Sequence, residues 1–226
     1  MKKGKKYLDS KKQIDRNKVY TLEEAISVLK SIPQADFDQS VEISCNLNVD
    51  PKKSDQMVRG STVLPHGIGR TVKVMVFCEP EKEQEAKEGG AEYFGGEEFV
   101  NKILKENWLD FDYCIATPTM MRIVSRLGKV LGPRGLMPSP KTGTVTENIS
   151  FAIEEAKKGK VDFRLDKTGC IHIGVGKISF PKESLIENVK AFLEVLKTSR
   201  PATVKGDFIK TTYISLTMSP SIKIQG

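Results

Sequence analysis

The strand pattern of this chain changes twice along its length. Residues Val41–Val49 alternate apolar and polar side chains, the period of a strand that is buried on one face and wet on the other. Between about residues 70 and 160 the strands, such as Val72–Cys78, are almost entirely apolar and are separated by helical segments. Alternating strands return after Lys160. Because continuous apolar strands separated by helices predict a parallel sheet covered on both faces, we expect two different sheets in one chain.

Each outer segment is too small to form a domain alone. The first has one helix, which begins at the capping box Thr21–Glu24 and ends before Pro33, and then the alternating strand. The last has a predicted hairpin, Val161–Leu165 and Cys170–Val175 around a turn sequence, followed by a long helix and a final strand at Phe208–Met218. Together these elements would form one antiparallel sheet with helices on one face.

The predicted fold is therefore an α+β split domain that carries an inserted α/β Rossmann-like domain. Residues 1–66 and 160–226 form the split domain, and residues 68–158 form the insert. The chain crosses between the two domains near 65–70 and again near 157–160. Both crossings contain glycine, so we expect a hinge there.

The composition is that of a globular protein, since 38% of the 226 residues are hydrophobic and 29% are charged. No apolar run is long enough to span a bilayer, and the basic N-terminus lacks the apolar stretch of a secretory signal, so we expect a cytoplasmic protein. The four cysteines lie far apart in apolar runs, without a CxxC pair. We expect buried, reduced thiols and neither a metal site nor a disulfide framework.

The positive charge is unevenly distributed. Residues 1–18 hold eight Lys or Arg and two Asp, which accounts for +6 of the chain's net +7. Residues 122–141 hold five cations and no acid, whereas residues 79–98 hold eight Glu against two Lys. The basic stretches could meet a polyanion and the acidic one would face away from it, although solvated surfaces carry such charges too.

Two Gly- and Pro-rich, loop-like stretches, Val58–Arg70 and Gly128–Val145, are the most specific motifs. Their cations and stiff backbone suit contact with phosphate, and neither contains a nucleophile–base pair. His66 and His172 have no recognisable catalytic partners in the sequence. Complete dinucleotide and P-loop fingerprints are absent, so no cofactor is predicted. An enzyme that uses the α/β segment as a nucleotide site is the less favoured alternative to a binding protein.

A third motif, Lys157–Lys167, places five cations beside a predicted strand and turn. Phe37 and Thr217–Met218 fall at the edges of other strands of the same predicted domain. Such a sheet end can pack on riboses and contact phosphates, and its hydroxyls can meet the 2′-hydroxyl that distinguishes RNA from DNA. The alternative is that Phe37 and Met218 belong to the core, as most Phe and Met side chains do.

Nearly the whole chain resembles the L-one family of large-subunit ribosomal proteins, the proteins of the mobile stalk beside the tRNA exit site. The similarity rests on many motifs in the same order along the chain. They are Phe37–Glu42, Lys53–Gln56, Val58–Gly60, Leu64–Gly67, Leu131–Pro138, Phe163–Arg164, Asp166–Gly169 and Thr217–Met218. The resemblance implies a split RNA-binding domain with an inserted Rossmann-like domain, in agreement with the segment pattern.

The resemblance also implies binding rather than catalysis. The family grips a stem-loop of large-subunit rRNA, and its stalk helps to release deacylated tRNA from the exit site. Bacterial members also bind their own mRNA leader and repress its translation. We therefore expect a monomer when free, located in the cytoplasm on the ribosome. The residues that match RNA-facing positions of the family are Phe37, Ser40, Arg164, Asp166, Lys167, Thr217, Met218 and Ser219, with secondary RNA contacts at Arg134 and Lys141.

The chain departs from the family pattern at three positions. Ser219 stands where the family usually has Gly, Asp36 where a Lys is common, and Ser139 where an Asn is frequent. Because glycine permits close approach of the backbone to RNA, we expect Ser219 to lower the affinity or to alter the local contact. A dedicated messenger-binding repressor that acts outside the ribosome is a second alternative.

Overall fold

The computed structural model describes residues 4–225, without the side chain of Ser54. Met1–Lys3 and Gly226, which the sequence assigns to the ends of the split domain, lie outside the described residues. Within residues 4–225 the helices are α1 (Lys5–Gln13), α2 (Leu22–Ser31), α3 (Glu83–Glu88), α4 (Glu97–Glu106), α5 (Met121–Val124), α6 (Gly128–Leu131), α7 (Ile149–Lys157) and α8 (Lys182–Thr198). The strands are β1 (Ser40–Leu47), β2 (Arg59–Val63), β3 (Val74–Phe77), β4 (Tyr93–Gly95), β5 (Tyr113–Ala116), β6 (Lys160–Arg164), β7 (Cys170–Lys177), β8 (Ile209–Leu216) and β9 (Ile222–Ile224).

The chain forms two compact units. The first unit comprises the residues up to Gly69 and from Val161 onward, and the second unit comprises Arg70–Lys160. In the first unit four strands form a sheet in the order β7-β1-β8-β9, and every neighbouring pair is antiparallel. Helices α2 and α8 pack together and on this sheet. The predicted antiparallel sheet with accompanying helices is thereby confirmed.

Strand β1 and helix α2 follow directly from their sequence patterns. The capping box is complete, because the Glu24 amide donates to Thr21 Oγ1 and the Thr21 amide donates to Glu24 Oε2, both at 3.3 Å. One side of α2 and one face of β1 then enter the same core. The buried residues of these two elements are Ala25, Ile26, Leu29, Val41, Ile43, Cys45 and Leu47.

The predicted hairpin between residues 161–165 and 170–175 is wrong. Strands β6 and β7 are joined by a tight turn, but β6 pairs with β2 while β7 pairs with β1. The Leu165 amide donates to the Val58 carbonyl at 3.0 Å, which extends the β2–β6 pairing. Packing decides this partner choice, because the β6 residue Phe163 is buried against β2 and α8.

Three further elements differ from the sequence predictions. Strand β9 adds a fourth strand beyond the predicted final strand. It has only three residues, and burial of Ile222 and Ile224 holds it on the sheet. Helix α1 forms within the basic N-terminal stretch, for which no helix was predicted. Strand β2 forms inside the stretch Val58–Arg70, which the glycines and prolines had assigned to a loop.

The second unit contains a three-stranded parallel sheet in the order β4-β3-β5. All four residues of β3 are fully buried, which agrees with the expectation that apolar strands are covered on both faces. The parallel pairing predicted from the strand composition is confirmed. Helix α5 ends at Val124 and a 3₁₀ turn, Ser125–Leu127, follows it directly.

The cysteines largely follow the expectation of buried thiols. Cys45, Cys78 and Cys114 are buried, and burial raises the pKa of the Cys45 thiol to about 11. Cys170 is only half-buried, which corrects the prediction for that residue.

In the part of the chain described, no group of three or more His, Cys, Asp or Glu residues could hold a metal ion. Residues 4–225 contain no helix with the length and apolar character required to cross a membrane.

A buried amide joins three parts of the first unit. Asn188 on α8 is fully buried. Its Oδ1 accepts from the His66 amide at 3.0 Å, and its Nδ2 donates to the carbonyl of Gly67 at 3.0 Å and of Val175 at 2.8 Å. Because buried polar groups are costly when unpaired, these three bonds hold the turn after β2 and the strand β7 at fixed places on the helix.

Gly60 on β2 marks a close approach of a ring to the backbone. A Cβ atom at this position would lie 2.7 Å from Cζ of Phe163, well inside van der Waals contact. Phe163 cannot easily retreat, because its ring also packs edge-on against Phe192 with 5.7 Å between the ring centroids. The glycine is therefore required by packing rather than by its backbone angles.

We expect Gly60→Ala to lower the free energy of unfolding by about 1–3 kcal/mol, the usual cost of overpacking a core. Urea denaturation followed by circular dichroism measures the change. Gly174→Ala is the matched control, since a Cβ there meets no atom within 4 Å. Equal stability of the two variants would show that Phe163 moves away without cost.

Candidate nucleic-acid interface

The face of the four-stranded sheet opposite its buried side carries polar side chains, and we call it the open face. Residues directly opposite one another on neighbouring strands share a face, so Ser44 lies beside both His172 and Tyr213. All members of this face are exposed or half-buried. They include Ser40, Glu42, Ser44, Asn46, His172, Thr211, Tyr213, Ser215 and Lys223.

At one end of the open face, which we call the Ser40 end, the start of β1 is bonded to the residue after β8. The Ser40 amide donates to Thr217 Oγ1 at 3.1 Å, and the Thr217 amide donates to the Ser40 carbonyl at 3.2 Å. Lys177 Nζ donates to Ser40 Oγ at 2.9 Å. This end therefore presents a hydroxyl and an ammonium group on a backbone that is fixed by hydrogen bonds.

Phe37 and Met218 at the Ser40 end are surface residues, with 53% and 62% of their area exposed, so they are not part of the core. The buried side-chain amide of Gln39 supports Met218, because the Met218 backbone amide donates to Gln39 Oε1 at 3.0 Å. Gln39 Nε2 donates in turn to Gln34 Oε1 at 2.9 Å, next to the end of α2. Met218 is thus held in solvent by a hydrogen-bonded frame, and Phe37 lines the same surface concavity as Met218.

Ser219, the departure from glycine, bonds within its own turn. Its Oγ accepts from the Leu216 amide at 2.9 Å and donates to the Pro220 carbonyl at 3.0 Å. Among the described residues other than glycine, only Asn107 has a positive φ, so Ser219 adopts an ordinary backbone conformation. The hydroxyl is directed to the turn, and the position does not require glycine for conformational reasons.

Arg164, Asp166 and Lys167 lie at the opposite end of the sheet, which we call the Asp166 end. The Leu47 amide, at the far end of β1, donates to the Gly169 carbonyl at 2.9 Å. Strand β1 spans eight residues, so the two ends are separated by roughly 23 Å along the strand. The residues predicted as one site therefore form two groups that bracket the open face.

The carboxylate of Asp166 organises the turn at its end of the sheet. Its Oδ1 accepts from the amides of Thr168 and Cys170, each at 2.8 Å, and its Oδ2 accepts from Thr168 Oγ1 at 2.7 Å. Partial burial acts to raise the pKa of this carboxyl, but the hydrogen bonds from Cys170 and Thr168 outweigh it and lower the pKa below the ordinary value. Asp166 thus organises the turn that carries the exposed Lys167.

Ser44, His172 and Tyr213 lie between the two groups and were not predicted as site residues. Ser44 Oγ is 2.9 Å from His172 Nδ1, and His172 Nε2 is 3.7 Å from Asp166 Oδ2. The second distance exceeds hydrogen-bond length, so the base of a hydrolytic triad has no orienting partner here. The polar positions of the period-two pattern, already visible in β1, were the signal that could have extended the site across the sheet.

Arg134 and Lys141 lie in the second unit, both exposed, on the loop that follows α6. Leu131 is fully buried before the loop, and glycines at positive φ, Gly135 at 73° and Gly143 at 69°, shape it. Ser139 replaces a frequent Asn but still caps the next turn, since its Oγ accepts from the Lys141 amide at 3.3 Å. The loop presents its two cations on a defined backbone.

An exposed polar sheet face, with cations at both ends and protruding apolar side chains at one end, is typical of a protein that binds nucleic acid. Residues 28–220 match the model of the Ribosomal protein L1p/L10e family. The chain is also 53% identical over 226 residues to the large ribosomal subunit protein uL1 of Persephonella marina (strain DSM 14350 / EX-H1), covering 99% of this chain and 93% of that relative. The chain belongs to the Ribosomal protein L1p/L10e family, and it is a ribosomal protein.

The lowered pKa of Asp166 gives a prediction with a defined pH window. Because the folded-state pKa lies below the unfolded value, the carboxylate stabilises the fold at neutral pH and loses this effect as the pH falls below about 4. We expect Asp166→Ala to lower the free energy of unfolding by about 1 kcal/mol at pH 7, a small value because the group is partly solvated.

Urea denaturation at several pH values would test this. The difference between wild type and Asp166→Ala should shrink toward zero as the carboxyl is protonated. Asp55→Ala is the control, because it removes an exposed carboxylate that does not organise a turn as Asp166 does. A difference that stays constant with pH would assign the effect to the loss of packing alone.

Proposed function

We propose that this protein is a structural constituent of the large ribosomal subunit and binds large-subunit rRNA through the open face of its first unit. The observation that carries the proposal is the Ser40 end, where Phe37 and Met218 are exposed, Met218 is bonded to the buried Gln39, and Lys177 is bonded to Ser40. The relative from Persephonella marina is named as a large-subunit protein, which supports the assignment to that subunit.

The proposed mode of binding uses shape and the sugar–phosphate backbone. Exposed Phe37 and Met218 would pack against riboses, and the hydroxyls of Ser40 and Thr217 would meet 2′-hydroxyl groups. Lys167 and Arg164, roughly one strand length away, would contact phosphates. The two ends would thus engage separate segments of one folded stem-loop.

The remaining roles are part of the same proposal. The second unit, proposed to be an inserted Rossmann-like domain, would make secondary RNA contacts through Arg134 and Lys141. The protein would act as a monomer when free, assist the release of deacylated tRNA at the exit site, and repress translation by binding its own mRNA leader. Family membership supports a structural, non-enzymatic role, and Ser44, His172 and Asp166 lack the geometry of a catalytic group.

We expect Thr217→Ala and Met218→Ala each to weaken binding to protein-free large-subunit rRNA by about 1–3 kcal/mol, the scale of one lost specific contact. Filter binding at a fixed salt concentration measures the affinity, and thermal unfolding reports on folding. Thr198→Ala, an exposed threonine on α8, and Phe151→Ala, an exposed aromatic of the second unit, are the controls. If the site variants and the controls bind equally well, the Ser40 end is not the recognition surface.

The division into units gives a second prediction. Strands β2 and β6 pair, so the segments that lead out of and back into the first unit both adjoin one two-stranded ribbon, with Gly69 six residues beyond the end of β2. A short Gly-Ser linker between Gly69 and Val161 should therefore close the gap at little entropic cost. We expect this shortened chain to fold, as judged by circular dichroism, and to bind the RNA nearly as well as the full protein. Loss of most of the affinity with the fold intact would move the main site to the loop of Arg134 and Lys141.

A further inference from the structure

The outer edge of the four-stranded sheet contains a concave pocket of about 540 Å³, which we call the edge pocket. It lies where β8 and β9 meet the end of α8, and it is separate from both groups of predicted site residues. Four cations line it, namely Lys197, Arg200, Lys210 and Lys223, together with a single acid, Asp207. Its volume is in the range of ligand sites that accept a nucleotide-sized group.

The cations of the edge pocket are not neutralised by the protein. Within residues 4–225 none of these four side chains forms an ion pair, whereas Lys6 and Lys18 of the same unit each lie within 3.5 Å of a carboxylate oxygen. Arg200 uses one Nη2 hydrogen bond, to the Val204 carbonyl at 2.7 Å, which orients its guanidinium. A concavity lined by unpaired cations concentrates positive potential and selects an anionic ligand.

The edge pocket is continuous with the open face. Thr211 and Lys223 line the pocket and also lie on the open face, where Thr211 is opposite Asn46 and Lys223 is opposite Tyr213. A nucleic acid that crosses the open face toward β9 would therefore reach the pocket without leaving the protein surface. A site for a small free anion would not need residues that belong to both the pocket and the open face.

We propose that the edge pocket binds backbone phosphates of the RNA strand that leaves the open face, an inference that rests on the proposed function. Phosphate fits the lining better than a base does, because lysine supplies point charges and arginine a planar fork of donors for phosphate oxygens. Four cations are enough to contact more than one phosphate group. Contacts of this kind add affinity and salt dependence without sequence preference.

The test compares the salt dependence of binding in the full-length protein and its variants. Lys197→Ala and Lys210→Ala remove pocket cations, and Lys190→Ala removes a cation of α8 outside the pocket. The probe is protein-free bacterial large-subunit rRNA, bound at several salt concentrations. Each pocket variant should lower the slope of log affinity against log salt by about 0.7–1, the effect of one lost phosphate contact, while Lys190→Ala should keep the wild-type slope. Slopes equal to wild type in both pocket variants would overturn the proposal.

Two further measurements separate the possible outcomes. Thr217→Ala in the same series tests the Ser40 end alone: if it binds normally while the pocket variants weaken, the edge pocket stands and the proposed main site fails. If Thr217→Ala weakens binding and the pocket variants do not, the edge pocket fails and the proposed function stands.

Thermal unfolding with inorganic pyrophosphate tests whether the pocket binds a free anion. Stabilisation that Lys210→Ala abolishes, with an unchanged RNA slope, would make the pocket a free-anion site and overturn the proposal.

Discussion

The three hydrogen bonds of Asn188 connect elements that are far apart in the sequence. They join α8 to the turn after β2 and to strand β7, and the side chain that makes them is fully buried. The bond to the Val175 carbonyl is buried, so without it this carbonyl would be left unpaired in the core, whereas the bonds to His66 and Gly67 are only partly buried. This one amide therefore ties the turn after β2 and the strand β7 to the same helix.

Hydrophobic periodicity was enough to predict β1, its open face and the parallel pairing of β3, because burial on one face or on two leaves different patterns. It could not predict β9, whose three residues are too few to show a period, or β2, where glycine and proline outweighed the pattern. The sequence pattern also could not show which strand pairs with which. Strand β6 pairs with β2 because of the packing between Gly60 and Phe163, which no local pattern records.

The candidate site shows a similar limit. Sequence motifs identified Phe37, Thr217 and Met218, and the structure places them together on the surface. The motifs could not show that Asp166 and Lys167 lie at the other end of the sheet, because distance across a sheet depends on strand register. The supporting groups Gln39 and Lys177 act through hydrogen bonds across the fold. Their RNA-binding roles, like those of the predicted residues, stay predictions.

The position of β1 in the sheet has a consequence for the synthesis of the protein. This strand lies between β7 and β8, so both of its partners are made more than 120 residues later. At typical elongation rates the new chain waits on the order of ten seconds with β1 unpaired and its apolar side uncovered. The second unit has only local partners and can fold during this interval. A protein with this topology completes its first domain last, so an apolar strand that is made early stays unpaired until translation is nearly over.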